Sequence, residues 1–200
     1  MLLRVPRSVL APVVFLVALV IGLASVSSAG ERAPQTAARG APPSIVPGDA
    51  KTILKAIRRP GAIAVLVNVW ATWCDACREE MPRLLQFYRE HRAGGLRLVL
   101  ISADDESERA RAAQFLAAQG LDVPSWLKRG DDMAFIDALD RRWTGTLPAS
   151  LLFDGKGQVV ELWQGPVTVA ELDRAWTRVS AATAPVPSSP EPTAPPRRNP

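Results

Sequence analysis

The stretch "NVWATWCDACREEMP", Asn68–Pro82, decides how this 200-residue chain is read, because it contains both of the chain's cysteines, Cys74 and Cys77. The run leading into it, "AIAVLVNVW" (Ala62–Trp70), is apolar and rich in β-branched residues, which suits a strand buried on both faces. After it, from Cys77 to Arg92, Met81, Leu84, Leu85 and Tyr88 recur at spacings of three and four, the period of a helix. Pro82 predicts a kink in that helix and Gly94-Gly95 its end. Cys74 therefore falls where a strand becomes a helix. There the unpaired N–H groups and the positive end of the helix dipole favour an anion. A thiol at such a place ionises more readily than a free cysteine, whose pKa is about 8.5. Cys77 lies one turn further on and reaches the same sulfur.

The rest of the chain alternates strands and helices. "SIVPGDAKTILKAIRRPG" predicts an amphipathic helix through Ile53, Leu54 and Ile57, stopped at Pro60-Gly61. "LRLVLISA" is a second buried strand, "DDESERARAAQFLAAQG" a second helix and "DVPSWL" a short extended segment. "DDMAFIDALDRRW" reads as a short helix, and "ASLLFD" and "QVVELWQG" form a hairpin around Gly155-Lys156-Gly157. "TVAELDRAWTRVSA" closes the chain as a helix, capped by Thr168 with Glu171 three residues on. The order β-α-β-α-(α)-β-β-α predicts an α/β fold. A right-handed parallel crossover comes first, the hairpin adds an antiparallel edge, and helices flank a mixed central sheet.

The ends differ from this middle. Arg4 and Arg7 precede an uncharged apolar run, Val9–Ala24, followed by "SVSSAG" with small residues suited to cleavage after Ala29. Residues 1–29 are expected to be a signal peptide or an uncleaved signal anchor, and both send the rest of the chain across a membrane. Residues 30–47, rich in Ala, Pro, Gly and Arg, read as a linker. Residues 48–181 form the folded domain, and 182–200 a disordered Pro-rich tail. The net charge is +4, and setting aside Arg4 and Arg7 leaves 22 basic against 20 acidic residues. No Lys/Arg run is interleaved with aromatics, so nucleic acid is not an expected partner.

Two residues between two cysteines allow three chemistries: half a metal site, a structural staple or a redox pair. Zinc takes four ligands. The chain offers one histidine, His91, expected on the surface, and no further cysteine. A staple across so small a loop would stabilise little. The redox reading carries the most weight. A peroxidase would need a cysteine in a Pro/Thr-rich loop, which this pair is not in.

The residues around the pair add a resemblance. "WATWCDACREEMP" resembles the active site of the thioredoxin superfamily, and in detail the exported TlpA/ResA-type thiol-disulfide oxidoreductases. Asn68-Val69-Trp70 before the cysteines, Glu80-Met81-Pro82 after them, and Gly145-Thr146-Leu147-Pro148 with Asp154 before the hairpin all match that branch. The likeness covers about residues 60–180. It implies that Cys74 is the exposed nucleophile, Cys77 the resolving thiol, and Pro148 a cis-proline beside them. The backbone of Leu147 would pair with an extended partner peptide, and Trp73 would flank the thiols. Cytoplasmic thioredoxins carry a buried aspartate where this chain has Asn68. Glu80 is the expected substitute proton carrier, its carboxyl raised by burial.

One departure is informative. Asp75-Ala76 stands between the cysteines where a proline often precedes the second. A negative charge at Asp75 opposes a thiolate, which argues for a reductant. The resemblance thus implies an exported thiol-disulfide reductase. Its partners would be disulfide- or dithiol-containing clients, such as apocytochrome c or copper-site assembly proteins, and a membrane thiol reductant would supply electrons. No cofactor motif for nicotinamide or flavin is present, and no cofactor is expected. The protein would be periplasmic or otherwise extracytoplasmic, touching the membrane only through an uncleaved N-terminal segment. The alternative from another class is a thioredoxin-fold binding or chaperone module with no enzymatic role.

Overall fold

The computed structural model describes residues 44–183 except 122. The segment expected at 1–29, most of the linker and nearly all of the tail lie outside the described residues. Six strands form one mixed sheet in the order β1-β4-β3-β2-β5-β6. They are β1 (Ile45–Gly48), β2 (Ala64–Trp70), β3 (Leu96–Ser102), β4 (Ser125–Lys128), β5 (Ala149–Asp154) and β6 (Val159–Gln164). The helices are α1 (Ala50–Ile57), α2 (Asp75–His91), α3 (Arg109–Ala118), α4 (Asp132–Leu139) and α5 (Val169–Thr183). Strands β1 to β4 run parallel, and β5 and β6 are antiparallel to β2 and to each other, respectively. The expected mixed sheet flanked by helices is what forms.

The central strand β2 explains the layering. All seven of its residues are buried, and successive side chains point to opposite faces. Ala64, Leu66 and Trp70 pack with Met81, Leu84, Leu85, Ala112, Leu116 and Leu172 of α2, α3 and α5. Val65, Val67 and Val69 pack with Ile53, Ile57, Phe135 and Leu139 of α1 and α4. Burying one Val, Leu or Ile side chain stabilises by about 1.5–3 kcal/mol, so a strand buried on both sides holds the molecule's centre. Asn68 occupies a position in the first of these faces, a polar group placed among apolar neighbours by the strand's own alternation.

Two boundaries differ from expectation. The linker was expected to run to residue 47, but Ile45–Gly48 is an edge strand paired in parallel with Ser125–Lys128. Its four residues include a proline and a glycine, which masks a strand in sequence; proline is tolerated on an edge because one side of the ladder is unpaired. The closing helix continues through Thr183, beyond the boundary expected at 181. The helical run of α2 continues through Pro82. His91, expected on the surface, is partly exposed there and packs against the rings of Phe87 and Trp176, with centroids 4.4 and 5.2 Å away. It faces Asp173 of α5 at 3.5 Å, linking α2 to the closing helix.

Candidate active site

The loop after β2 delivers Cys74 to the start of α2. Cys74 is the N-cap: its Sγ accepts from the Cys77 N–H at 3.2 Å. The sulfur thus satisfies one of the otherwise unpaired donors of the first turn. Cys74 and Cys77 form a disulfide. Cys74 is 9% exposed and Cys77 fully buried, so only the first sulfur has surface to offer.

The loop is held from the side by Asp104. Thr72 donates to its carboxylate through the backbone N–H at 3.0 Å and through Oγ1 at 2.7 Å. Ser102 Oγ donates to the other oxygen at 2.7 Å. Asp104 is itself buried. Its role is not evident from sequence. The one available signal is "S-A-D" at the end of an apolar strand, where short polar side chains bind nearby backbone.

Glu80 lies one turn beyond Cys77 on α2, on the same side of the helix. It is buried, with 2% of its surface exposed. Its Oε1 accepts from Asn68 Nδ2 at 2.8 Å and its Oε2 from the Val167 N–H at 2.9 Å. Burial pushes the Glu80 carboxyl above its ordinary value; the two hydrogen bonds and the Arg83 charge oppose that without cancelling it. Asn68 also donates to Ser150 Oγ at 3.0 Å. Ser150 sits directly across the ladder from Asn68, in the β2–β5 register. Sequence reasoning misses it because only that register brings it here.

Leu147 and Pro148 precede β5, whose register sets Ala149 beside Val69. The Leu147–Pro148 peptide is cis, as the resemblance implied. Leu147 packs on the cluster that includes Cys74 and Cys77. Gly145, two residues earlier, has φ +83°, and a Cβ there would come within 2.9 Å of Ile136 Cδ1; only glycine fits. Trp73 is 63% exposed. With Leu147, Phe135, Ile136 and Trp143, and with Lys128 and Asp132 at its charged side, it lines a pocket of about 160 Å³. Asp75 pairs with Arg78, an exposed i,i+3 contact, so its charge next to Cys74 is partly offset. Of the six residues expected at the site, Cys74 and Cys77 are bonded to each other, Glu80 lies one turn on, Trp73 and Leu147 line one pocket, and Pro148 leads into β5. Among the described residues there is no cluster of three or more His, Cys, Asp or Glu side chains able to hold a metal. Nor is any of their helices long and apolar enough to cross a membrane.

A parallel-then-antiparallel sheet with a CxxC disulfide capping the helix after its central strand defines a thioredoxin-like protein. The redoxin family pattern matches residues 52–176, and the chain belongs to that family. It is similar to the thiol-disulfide oxidoreductase ResA of Bacillus anthracis, 29% identical over 54% of this chain and 59% of that protein. The ResA protein of a Bacillus cereus strain is 31% identical, with the same shares covered. The chain thus spans less than two thirds of the length of these curated relatives. Among solved structures it resembles a thioredoxin-related protein from Neisseria meningitidis serogroup B, with TM-score 0.52 and 27% identity, covering 60% of this chain and 87% of that one. A thiol:disulfide interchange protein of the thioredoxin family from Chlorobium tepidum TLS matches with TM-score 0.50 and 25% identity, covering 70% and 99%. The likeness to the ResA-type branch, expected from the residues flanking the cysteines, is borne out.

Proposed function

We propose that this protein is an exported thiol-disulfide oxidoreductase that reduces disulfides in extracytoplasmic client proteins. The observation that carries the reading is the Cys74–Cys77 disulfide at a helix N-terminus, one turn before a buried carboxyl at Glu80.

In the reduced protein the Cys74 thiolate attacks one sulfur of a client disulfide. The second client sulfur leaves with the bonding pair and takes a proton, and a mixed disulfide remains. Cys77 then gives its thiol proton to the Glu80 carboxylate. The Cys77 thiolate forms the bond to Cys74, and the first client sulfur leaves with the electrons of the mixed disulfide. Glu80 returns the proton to that sulfur or to water. The client is reduced by two electrons and the Cys74–Cys77 pair oxidised by two. A carboxyl raised toward neutrality suits both halves of that proton transfer. A membrane thiol reductant would restore the dithiol.

Trp73 and the 160 Å³ pocket it lines, mostly apolar with Lys128 and Asp132 at one side, offer a surface to a client segment, and the backbone of Leu147, next to cis-Pro148, would pair with that segment as an added strand. Asp75 biases the couple toward reduction, less so for its pairing with Arg78. Apocytochrome c cysteines and copper-site assembly proteins are the client classes that the ResA-type resemblance favours. The N-terminal apolar run favours a periplasmic or membrane-tethered location.

The test is a Cys77→Ala trap expressed in a cell envelope. Mixed disulfides on Cys74, identified by mass spectrometry, are the expected result. Loss of client reduction in the Cys74→Ala, Cys77→Ala double variant separates this reading from a binding or chaperone module, in which that variant would remain fully functional.

A further inference from the structure

The hydrogen bonds around Glu80 leave one group unmatched. Asn68 uses both side-chain N–H groups, one to Glu80 Oε1 at 2.8 Å and one to Ser150 Oγ at 3.0 Å. Its Oδ1 is buried without a partner. All three residues are buried, and a buried unpaired amide oxygen costs about 1–3 kcal/mol. This pattern suits an ionised Glu80, which can only accept. It suits a protonated one less well. Each oxygen already accepts one N–H, from Asn68 at Oε1 and from Val167 at Oε2, so an added O–H has only the remaining lone-pair direction and no acceptor on Asn68 or Val167 to meet.

The conflict disappears when the amide turns over. Oδ1 and Nδ2 are nearly equal in size, so a half-turn about the terminal bond preserves packing. The oxygen then lies between Glu80 Oε1 and Ser150 Oγ. It accepts from the protonated carboxyl and from the serine hydroxyl, and a hydroxyl can serve either orientation because it both donates and accepts. Each orientation leaves one end of the amide unpaired. One bears a buried charge with two N–H donors on it, and the other removes the charge. The two are therefore balanced enough for a proton to decide between them.

We propose that Asn68 and Ser150 are positioning residues for the proton transfer at Glu80, the Asn68 amide turning end for end each time Glu80 takes up or gives off a proton. This deepens, and rests on, the reading of Glu80 as the proton carrier. The surroundings leave Glu80 as the group that titrates there. Strands β2 and β5 bring the neutral Asn68 and Ser150. The loop before α5 brings the Val167 N–H, and Glu171 beyond it is turned onto Thr168. On α2 itself stand Arg83, whose charge reaches Glu80, and the redox-active Cys77.

The experiment is a pH titration of the whole isotopically labelled chain by NMR, oxidised and reduced. It follows the Glu80 carboxyl carbon and the nuclear Overhauser cross-peaks between the Asn68 side-chain N–H protons and Ser150 Hβ. The expected result is an elevated Glu80 midpoint, with those cross-peaks vanishing below the same midpoint. In Glu80→Gln, whose amide copies the protonated acid, the cross-peaks should be absent at every pH. If Glu80 titrates high while the cross-peaks persist throughout, the turning amide is overturned and the proton-carrier reading stands. If Glu80 titrates in the ordinary carboxylate range, both fall. Cross-peaks that survive in Glu80→Gln also overturn the proposal.

Discussion

Asn68 on β2 and Glu80 on α2 are joined by a 2.8 Å hydrogen bond between buried side chains, so the strand that carries the cysteines' loop also holds the acid beneath them. A charge in that place is costly, and burial holds the Glu80 carboxyl above its ordinary value. Between the ordinary and the raised value the folded chain binds a proton that the unfolded chain has lost. The stability this contributes is complete below the unfolded value and is lost as pH rises through the folded one. Denaturant titrations of the oxidised protein over a pH series starting below the ordinary carboxylate range should therefore find wild type losing stability as pH rises. Glu80→Gln should lose less, since it carries no charge to bury. Equal losses in the two proteins would remove the buried charge as their cause.

The same substitution tests catalysis. Glu80→Gln keeps the shape but cannot accept the Cys77 proton. Disulfide reduction at pH 7 should fall by roughly ten- to a hundredfold, at the low end of the range for general acid–base groups. Rates should recover toward alkaline pH, where Cys77 ionises without help. A pH–rate profile parallel to wild type would contradict the assignment.

Asp104 binds Thr72 and Ser102 from a buried position. Asp104→Ala leaves the Thr72 N–H and two hydroxyls without their acceptor. The expected loss is about 2–4 kcal/mol, read from the urea midpoint at unchanged slope. A change below about 0.5 kcal/mol would mean that water or a rearranged loop replaces the carboxylate.

Trp73 is largely exposed, so Trp73→Ala should alter stability by less than about 0.5 kcal/mol. Its effect should appear instead as a severalfold higher KM for protein disulfides, with a small aromatic disulfide reduced at the wild-type rate. Equal effects on both substrates would assign the ring to the thiols rather than to the client.

Asp75→Asn removes a negative charge beside Cys74 and frees Arg78 from its partner. Both changes favour the thiolate, so the dithiol form gains and the potential becomes less negative. The site is exposed and the pair is already partly neutralised, so the shift should be roughly 10–20 mV, equivalent to about half a pKa unit. Glutathione equilibration measures it. A shift in the negative direction would overturn the role given to Asp75.

Local pattern revealed the parts of the fold whose signals are local. β2 and β3 are unbroken apolar runs, α2 has a helical period, and Thr168 and Glu171 form the reciprocal cap that their spacing implies. The cysteines and Glu80 were legible because they lie within one short segment. β1 was not: Pro47 and Gly48 suppress its strand character, and its partner lies some eighty residues on. Ser150 and Asp104 escaped for the same reason. Their partners, Asn68 and Thr72, are 82 and 32 positions away, and only the folded sheet brings them together. Arg78 is exposed, and its pairing with Asp75, which only the structure shows, changes the electrostatics at the first cysteine.

The unequal burial of the two sulfurs has a consequence for how clients are handled. Cys74 breaks the surface and Cys77 does not. Under the proposed activity, every covalent encounter would therefore begin on Cys74, and each client sulfur would yield only one linkage isomer. Cys77 is buried in the oxidised protein, so under the proposed activity release by Cys77 would be an internal step, taken by a thiol already in place on the next turn of the helix.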